Sequence, residues 1–293
     1  MTEPTRQKPS LPEIRALLKG RKLYLLDMDG TLYLGSRLFE HSRAFLQAIR
    51  DAGARYLFLT NNSSRGTQSY VDKLVNLGIA AQAEDFFTST DAACAWLRAH
   101  YTGRRIYALG TASFRQQLQQ AGFPVTDTPD EAVDCLLMGY DTELTYQKMV
   151  DAVKLLNRGV TYLATNPDWV CPTEFGYVPD CGSIAQALEH ATGRLPRFLG
   201  KPEPDIALLA MARAGAKPDE TVLIGDRIYT DIACGIRAGV GTVLVFSGET
   251  TRETWLASAE KPDLAVDGVG NLLDALRTAG GSARESGNPS RIF

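Results

Sequence analysis

An α/β protein with a parallel sheet is what this chain predicts, on two observations. Short apolar runs alternate with amphipathic stretches nearly throughout its 293 residues, the pattern of βα units. Several of those runs end in carboxylates, amides or hydroxyls. Ligands of an open parallel sheet gather beyond the carboxyl ends of its strands, so those polar endings mark a site.

The elements follow in order. Leu23–Leu26 is a strand. Residues 41–52 carry Phe45, Ala48, Ile49 and Ala52 at helical spacing and close on Gly53. Tyr56–Leu59 is the next strand, and residues 67–77 form a helix with Tyr70, Leu74 and Leu77 on one face. Strand Phe86–Thr88 and a helix over 90–98 come next. After the turn-prone T-G-R at 102–104, a second series begins with strand Ile106–Leu109 and a helix near 113–121. It continues through strand Cys135–Met138, helix 146–157 and strand Thr161–Ala164. An irregular stretch, 166–182, precedes a helix at 183–191 that ends on Gly193. The third section holds strand Phe198–Leu199, helix 205–213, strand Val222–Ile224, a short helix over 230–238, strand Thr242–Phe246 and a helix near 270–278. The turn-rich stretches near 103 and 194 are the natural domain boundaries. Residues 1–10 and 280–293 have too little apolar content to pack and read as loose ends.

Composition narrows the function. A hydrophobic content of 44%, 22% charged residues and a net charge of −3 with scattered Lys and Arg describe a soluble globular protein without a nucleic-acid surface. No apolar run approaches the roughly 18 residues of a membrane helix, and the N-terminus lacks a signal-peptide core. Five cysteines, odd in number and without C-x-x-C spacing, read as reduced thiols of a cytoplasmic protein. His41, His100 and His190 are isolated and not spaced as metal ligands.

Four strand ends carry chemistry. The first is L-Y-L-L-D-M-D-G-T at 23–31, which sets Asp27 and Asp29 on one side of an extended chain. Two like charges there are unfavourable unless a cation or proton lies between them. An Asp-Gly turn would account for Asp29 and Gly30 but not for Asp27. Thr60, Asn61 and Asn62 end the second strand and suit a phosphate cradle, although the same residue types also make turns and helix caps. Lys201, in F-L-G-K-P-E-P-D, could neutralise a carboxylate and a phosphate together; alone it would read as a solvated lysine. Asp226, in V-L-I-G-D-R-I-Y-T-D, could complete an oxygen-rich cation site with Asp27. Asp231 also suits a helix cap and is supporting, as is Gly30. Together these residues point to phosphoryl transfer with a magnesium ion. No glycine-rich phosphate loop ending in Gly-Lys-Ser/Thr and no G-x-S-x-G element offers a rival reading.

These four motifs, D-M-D-G-T, T-N-N, G-K-P-E-P-D and G-D-R-I-Y-T-D, resemble those of the haloacid dehalogenase superfamily. The T-N-N form and the long segment between the second and third motifs are similar to the NagD-type (p-nitrophenyl phosphatase) subfamily. The resemblance implies a Rossmann-like doubly wound core, residues 1–103 plus 195–293, with an α/β cap inserted over 104–194. It implies Asp27 as nucleophile and Asp29 as general acid and base, with Asp27, Asp226 and the Asp29 carbonyl holding Mg2+. Thr60 and Asn61, with Asn62, would bind the phosphoryl group, and Lys201 would steady the phospho-aspartate.

The expected activity is hydrolysis of small phosphate monoesters of sugar phosphate, nucleotide, phosphoglycolate or pyridoxal phosphate type. Phosphotransfer to an alcohol acceptor and a non-catalytic phosphometabolite-binding protein are the alternatives. Substrate choice is expected in the cap, around Asn166–Gly182, where Trp169, Phe175 and Tyr177 either contact the organic group or pack the cap's own core. The family likeness also allows a homodimer through the cap.

Overall fold

A computed structural model describes residues 8–103, 105–173 and 175–279. Of the segments expected to be loose ends, 280–293 and 1–7 lie outside the described residues. Residues 8–10 lead into a helix that periodicity did not reveal, α1 (Leu11–Leu18). Ser10 opens it: its N–H and its hydroxyl each donate to the Glu13 carboxylate at 2.7 Å, a capping arrangement.

The chain continues with β1 (Leu23–Leu26), the short pair β2 (Tyr33–Leu34) and β3 (Arg37–Leu38), α2 (Ser42–Asp51), β4 (Arg55–Thr60), α3 (Thr67–Asn76), β5 (Phe86–Thr88) and α4 (Ser89–His100). Next come β6 (Ile106–Leu109), α5 (Ala112–Gln120), β7 (Val125–Thr126), β8 (Cys135–Met138), α6 (Tyr146–Asn157) and β9 (Thr161–Ala164). The hairpin β10 (Val170–Thr173) and β11 (Gly176–Pro179), α7 (Cys181–Thr192) and β12 (Arg197–Phe198) follow. The last section is α8 (Asp205–Ala214), β13 (Thr221–Gly225), α9 (Ala233–Ala238), β14 (Gly241–Val245), α10 (Arg252–Ala257), β15 (Leu264–Val266) and α11 (Val269–Ala279).

One parallel sheet runs β15-β14-β13-β1-β4-β5. Both its faces are buried, and side chains alternate between them with period two. Tyr24, Leu26, Tyr56, Phe58, Val222 and Ile224 pack on one face beneath α1, α2 and α11, through Leu18, Phe45, Ile49 and Leu272. Leu23, Leu25, Leu57, Leu59 and Leu223 pack on the other against α8 and α9, through Ile206, Ala210 and Cys234. Sequence order departs in opposite directions on the two sides of β1, so a crevice opens at its carboxyl end, between the loops that follow β4 and β13.

A second parallel sheet runs β12-β9-β8-β6-β7. α6 and α7 cover one of its faces. The other face packs on α5 and on Ala93, Cys94 and Leu97 of α4, so α4 lies between the two sheets.

Three sequence readings are corrected. The strand expected at 198–199 in the third section is Arg197–Phe198, and it bonds to β9 of the five-stranded sheet. The irregular stretch 166–182 contains an antiparallel hairpin, which two prolines (Pro172, Pro179) and Gly176 concealed. The expected helix over 230–238 begins as a wide turn at Ile228–Ile232 before α9 proper. The pair β2–β3, β7, α10 and β15 were too short to register.

Candidate active site

β1 sets Asp27 at the crevice, its backbone N–H still donating to Ile224 O at 2.9 Å. Lys201 reaches it from the loop after β12. The Lys201 ammonium donates to Asp27 Oδ1 at 2.7 Å, to Asp231 Oδ1 at 2.6 Å and to Leu59 O at 3.0 Å. All three ammonium protons are therefore used, and the side chain is only 3% exposed. Burial pulls the lysine pKa down, but Asp231 and Asp27 outweigh it and hold the group above the ordinary lysine value. It stays a fixed cation.

Oxygens of Asp27, Asp226 and Asp231 lie within 4.8 Å of one another. Asp231, which the motifs cast only in a supporting part, therefore belongs to this carboxylate cluster. Its Oδ2 accepts from Arg227 N–H at 3.0 Å. Asp226 accepts from Glu249 N–H through Oδ2 at 2.7 Å, while its Oδ1 is buried with no hydrogen-bond partner among the described residues. Burial, and then Asp27 and Asp231, raise the Asp226 pKa well above the carboxylate range. Burial likewise lifts Asp27 to about 7, against the pull of Lys201 and with the push of Asp231.

An unpartnered buried carboxylate oxygen amid hard oxygen donors fits a small divalent cation. The packing around the same carboxyl group is tight on the side of its other oxygen, Oδ2. Gly30 has φ +84°, and a Cβ there would lie 2.4 Å from Asp226 Oδ2; a Cβ on Gly248 would lie 2.0 Å from the same atom. Only glycine leaves that oxygen its space.

The Asp29 side chain is outside the three-carboxylate cluster. Its Oδ2 faces the Lys73 ammonium at 3.6 Å, and its Oδ1 is buried without a hydrogen-bond partner among the described residues. Burial raises the Asp29 pKa, partly opposed by Lys73. Lys73, which no motif singles out, is partly exposed on α3, its ammonium 4.1 Å from the centre of the Tyr33 ring.

The T-N-N segment divides its work. Thr60 Oγ1 accepts from Asn62 N–H at 3.2 Å, which leaves its own proton to donate. Asn62 Oδ1 accepts from Ser64 N–H at 3.0 Å and from its hydroxyl at 2.7 Å. Asn61 is buried and points sideways: its Oδ1 accepts from Lys201 N–H, and its Nδ2 donates to Lys201 O and to Asp168 Oδ2. The Asn61 side chain is thus engaged with Lys201 and Asp168, while the residue still lines the cavity.

Asp27, Asp29, Thr60, Asn61, Asn62 and Lys201 all line one cavity of about 540 Å³. The second sheet's segments supply much of its far wall, through Tyr140, Thr142, Asp168, Cys171, Val178 and Asp180. Asp180, lifted to about 7 by burial and by Asp168, caps α7. Cys171, Thr173 and Val178 of the hairpin line the cavity, and so does Pro172 between them. Trp169, Phe175 and Tyr177 are 56%, 83% and 63% exposed and line no part of it. They are neither the cap's core nor its contact with the cavity.

Sequence reasoning missed Asp168, Arg227 and Lys73. Arg227 sits inside the G-D-R motif. Asp168 follows the strand end of β9 in N-P-D, the same signal that flagged the other loops. All five cysteines are unpaired, Cys171 and Cys181 included. No described helix is long and apolar enough to cross a membrane.

Residues 24–124 match the family of haloacid dehalogenase-like hydrolases, and residues 198–272 match the HAD-hydrolase-like family. The 5'-nucleotidase YutF of Bacillus subtilis is 36% identical, the match covering 86% of this chain and 97% of that protein. The 4-nitrophenylphosphatase of Thermotoga maritima superposes with a TM-score of 0.84 at 36% identity, covering 89% of this chain and 99% of its own. The glycerol phosphate phosphatase of Mycobacterium tuberculosis, solved in complex with magnesium, gives 0.81 at 26% identity, covering 91% and 78%.

Proposed function

The chain belongs to the haloacid dehalogenase-like hydrolases, as a phosphatase of the NagD or p-nitrophenyl phosphatase type, and from that premise we propose how its own residues cleave a small phosphate monoester. Residues 1–103 and the stretch after Phe198 are read as the catalytic core, and 104 to Phe198 as a cap inserted into it. This shifts the second boundary from 194 to include the strand that bonds to β9. The compartment is read as reducing, in keeping with five unpaired cysteines.

Asp27 is the nucleophile in this reading. Lys201 occupies its Oδ1, so the other oxygen is left to attack phosphorus and form an aspartyl-phosphate. A carboxylate and a phosphate monoester repel each other, and the fixed Lys201 cation offsets part of that repulsion. Thr60 donates its hydroxyl proton to a phosphoryl oxygen. Asp29, whose pKa burial raises, gives its proton to the leaving oxygen and later takes one from the attacking water. Asp27, Asp226 and Asp231, with the Asp29 carbonyl, would hold Mg2+. When bound, that ion supplies charge neutralisation for the phosphoryl group.

The observation that carries the proposal is the Asp27–Lys201–Asp231 contact at the switch point of the sheet, beside a buried Asp226 oxygen with no hydrogen-bond partner among the described residues. The cavity, about 540 Å³, is in the range of small-ligand sites and admits leaving groups of sugar, glycerol or nucleoside size. The test is phosphate release from a panel of sugar phosphates, nucleotides, glycerol phosphate, phosphoglycolate and pyridoxal phosphate, with Mg2+ and with EDTA. Release that is metal-dependent and lost in Asp27→Asn is expected. Release that survives in folded Asp27→Asn would refute the mechanism.

A further inference from the structure

We propose that Asp168, contributed by the loop after β9 of the second sheet, is a positioning residue for Lys201. It acts by fixing the side-chain amide of Asn61. The inference rests on Lys201 serving as the fixed cation beside the nucleophile, and it adds a part for a residue outside the four motifs.

The geometry is a chain of short contacts between buried groups. Lys201 N–H donates to Asn61 Oδ1 at 2.8 Å, and Asn61 Nδ2 donates to Lys201 O at 2.8 Å. One amide thus clasps the Lys201 backbone on both sides. The remaining Nδ2 proton goes to Asp168 Oδ2 at 2.9 Å. Asp168, Asn61 and Lys201 are 2%, 6% and 2% exposed.

Both Asp168 oxygens act as acceptors, Oδ1 from Arg227 and Oδ2 from amide groups, so Asp168 dictates which end of the Asn61 amide faces it. A reversed amide would set an NH2 group against Lys201 N–H and an oxygen against the Asp168 carboxylate. Asp168 thereby selects the one Asn61 orientation that grips Lys201.

Asp168 is itself held firmly. Asn166 Nδ2 donates to its Oδ2 at 2.8 Å, and Arg227 pairs with its Oδ1 at 3.1 Å. Arg227 in turn donates its N–H to Asp231, the second anchor of the Lys201 ammonium. The loop has no slack: a Cβ at Gly200 would lie 2.6 Å from Asn61 Oδ1 and 2.5 Å from Thr165 O. A displaced amide therefore moves the lysine rather than being absorbed elsewhere.

The test is steady-state hydrolysis of p-nitrophenyl phosphate with Mg2+, on variants shown to be folded by circular dichroism. Asp168→Asn is expected to lower kcat about 10- to 100-fold, the usual scale for losing an outer partner of a site. KM should move by less than about threefold, since asparagine keeps the size of the side chain that Asp168 presents to the cavity wall. Asn61→Ala should give a similar kcat-selective loss, and the double variant should lose far less than the product of the two. An unchanged kcat in Asp168→Asn, or fully multiplicative losses, would overturn the inference. If Asp168→Asn does not fold, Asn61→Ala breaks the same link while leaving Asp168 paired with Arg227, and a normal kcat there overturns it equally. Asp27→Asn is assayed alongside. Activity retained in that variant defeats the nucleophile reading itself, whereas its loss beside a normal Asp168→Asn defeats only this inference.

Discussion

Asp27 and Asp29 are two residues apart and have different surroundings. Asp27 faces a fixed ammonium at 2.7 Å and two further carboxylates, whereas Asp29 faces the looser Lys73 at 3.6 Å. That difference separates a nucleophile from a proton carrier. Replacing Asp29 by Asn should lower kcat roughly 10²- to 10⁴-fold for an alkyl phosphate, whose alkoxide must be protonated as it leaves. The loss should be smaller for p-nitrophenyl phosphate, whose leaving group is weakly basic. Comparing the two substrates on one variant checks the assignment, and equal losses would count against it. The Asp29 pKa is raised in the fold, chiefly by burial, so its acid form persists to higher pH than that of an ordinary aspartate. Alkyl phosphate turnover should therefore fall as pH rises through that raised value, and the falling limb should vanish in Asp29→Asn. Gly30→Ala should cost roughly 1–3 kcal/mol in urea unfolding, because φ is +84° and the added methyl meets Asp226.

Among the elements, the six-stranded sheet places its chemistry by a simple rule. β1, β4 and β13 are neighbours; β4 ends in Thr60, and β1 and β13 are followed at once by Asp27 and Asp226. Those endings, and most helices and strands longer than three residues, though not α1, α10 or the hairpin strands, were readable because burial imposes periods of two or 3.6 on the sequence. The Asp27, Thr60, Lys201 and Asp226 loops were readable for the same reason. The Asp168 link was not, since Asn61 and Arg227, the partners that tie it to the site, lie 107 and 59 residues away. Lys73 escaped because a lysine on the open side of a helix is ordinarily solvated. The hairpin β10–β11 escaped because its prolines argue against a strand. Its exposed aromatics lead to a further expectation. Phe175→Ala and Tyr177→Ala should change unfolding free energy by less than about 0.5 kcal/mol and leave kcat/KM on p-nitrophenyl phosphate unaltered, as for surface positions generally. A large fall in kcat/KM would place those rings against the substrate after all.

Across the whole molecule, the carboxylate cluster couples cation binding to stability. Asp27 titrates near 7 and Asp226 well above its ordinary value, so without a cation the fold holds more protons than the unfolded chain. The contribution of these two groups to stability is fully present below the ordinary aspartate pKa, about 4, and is lost as pH rises through about 7. A bound divalent ion replaces those protons. Mg2+ should accordingly raise the Tm more at pH 8 than at pH 5. At a hundredfold excess over Kd the stabilisation is about 2.7 kcal/mol, or roughly 4–5 °C for a chain of this size. Thermal melts with Mg2+ and with EDTA at the two pH values check this, and an equal shift at both would contradict it.

The most direct measurement asks where the phosphoryl group goes. Enzyme mixed with a rapidly hydrolysed ester and Mg2+ is quenched in acid within the first turnover, reduced with borohydride and digested for peptide mass analysis. An acyl phosphate is reduced to an alcohol, so the aspartate that carried it becomes homoserine. Nucleophilic attack by Asp27 predicts homoserine at position 27 alone. An unmodified residue 27, or homoserine at 29, 226 or 231 in its place, would contradict it.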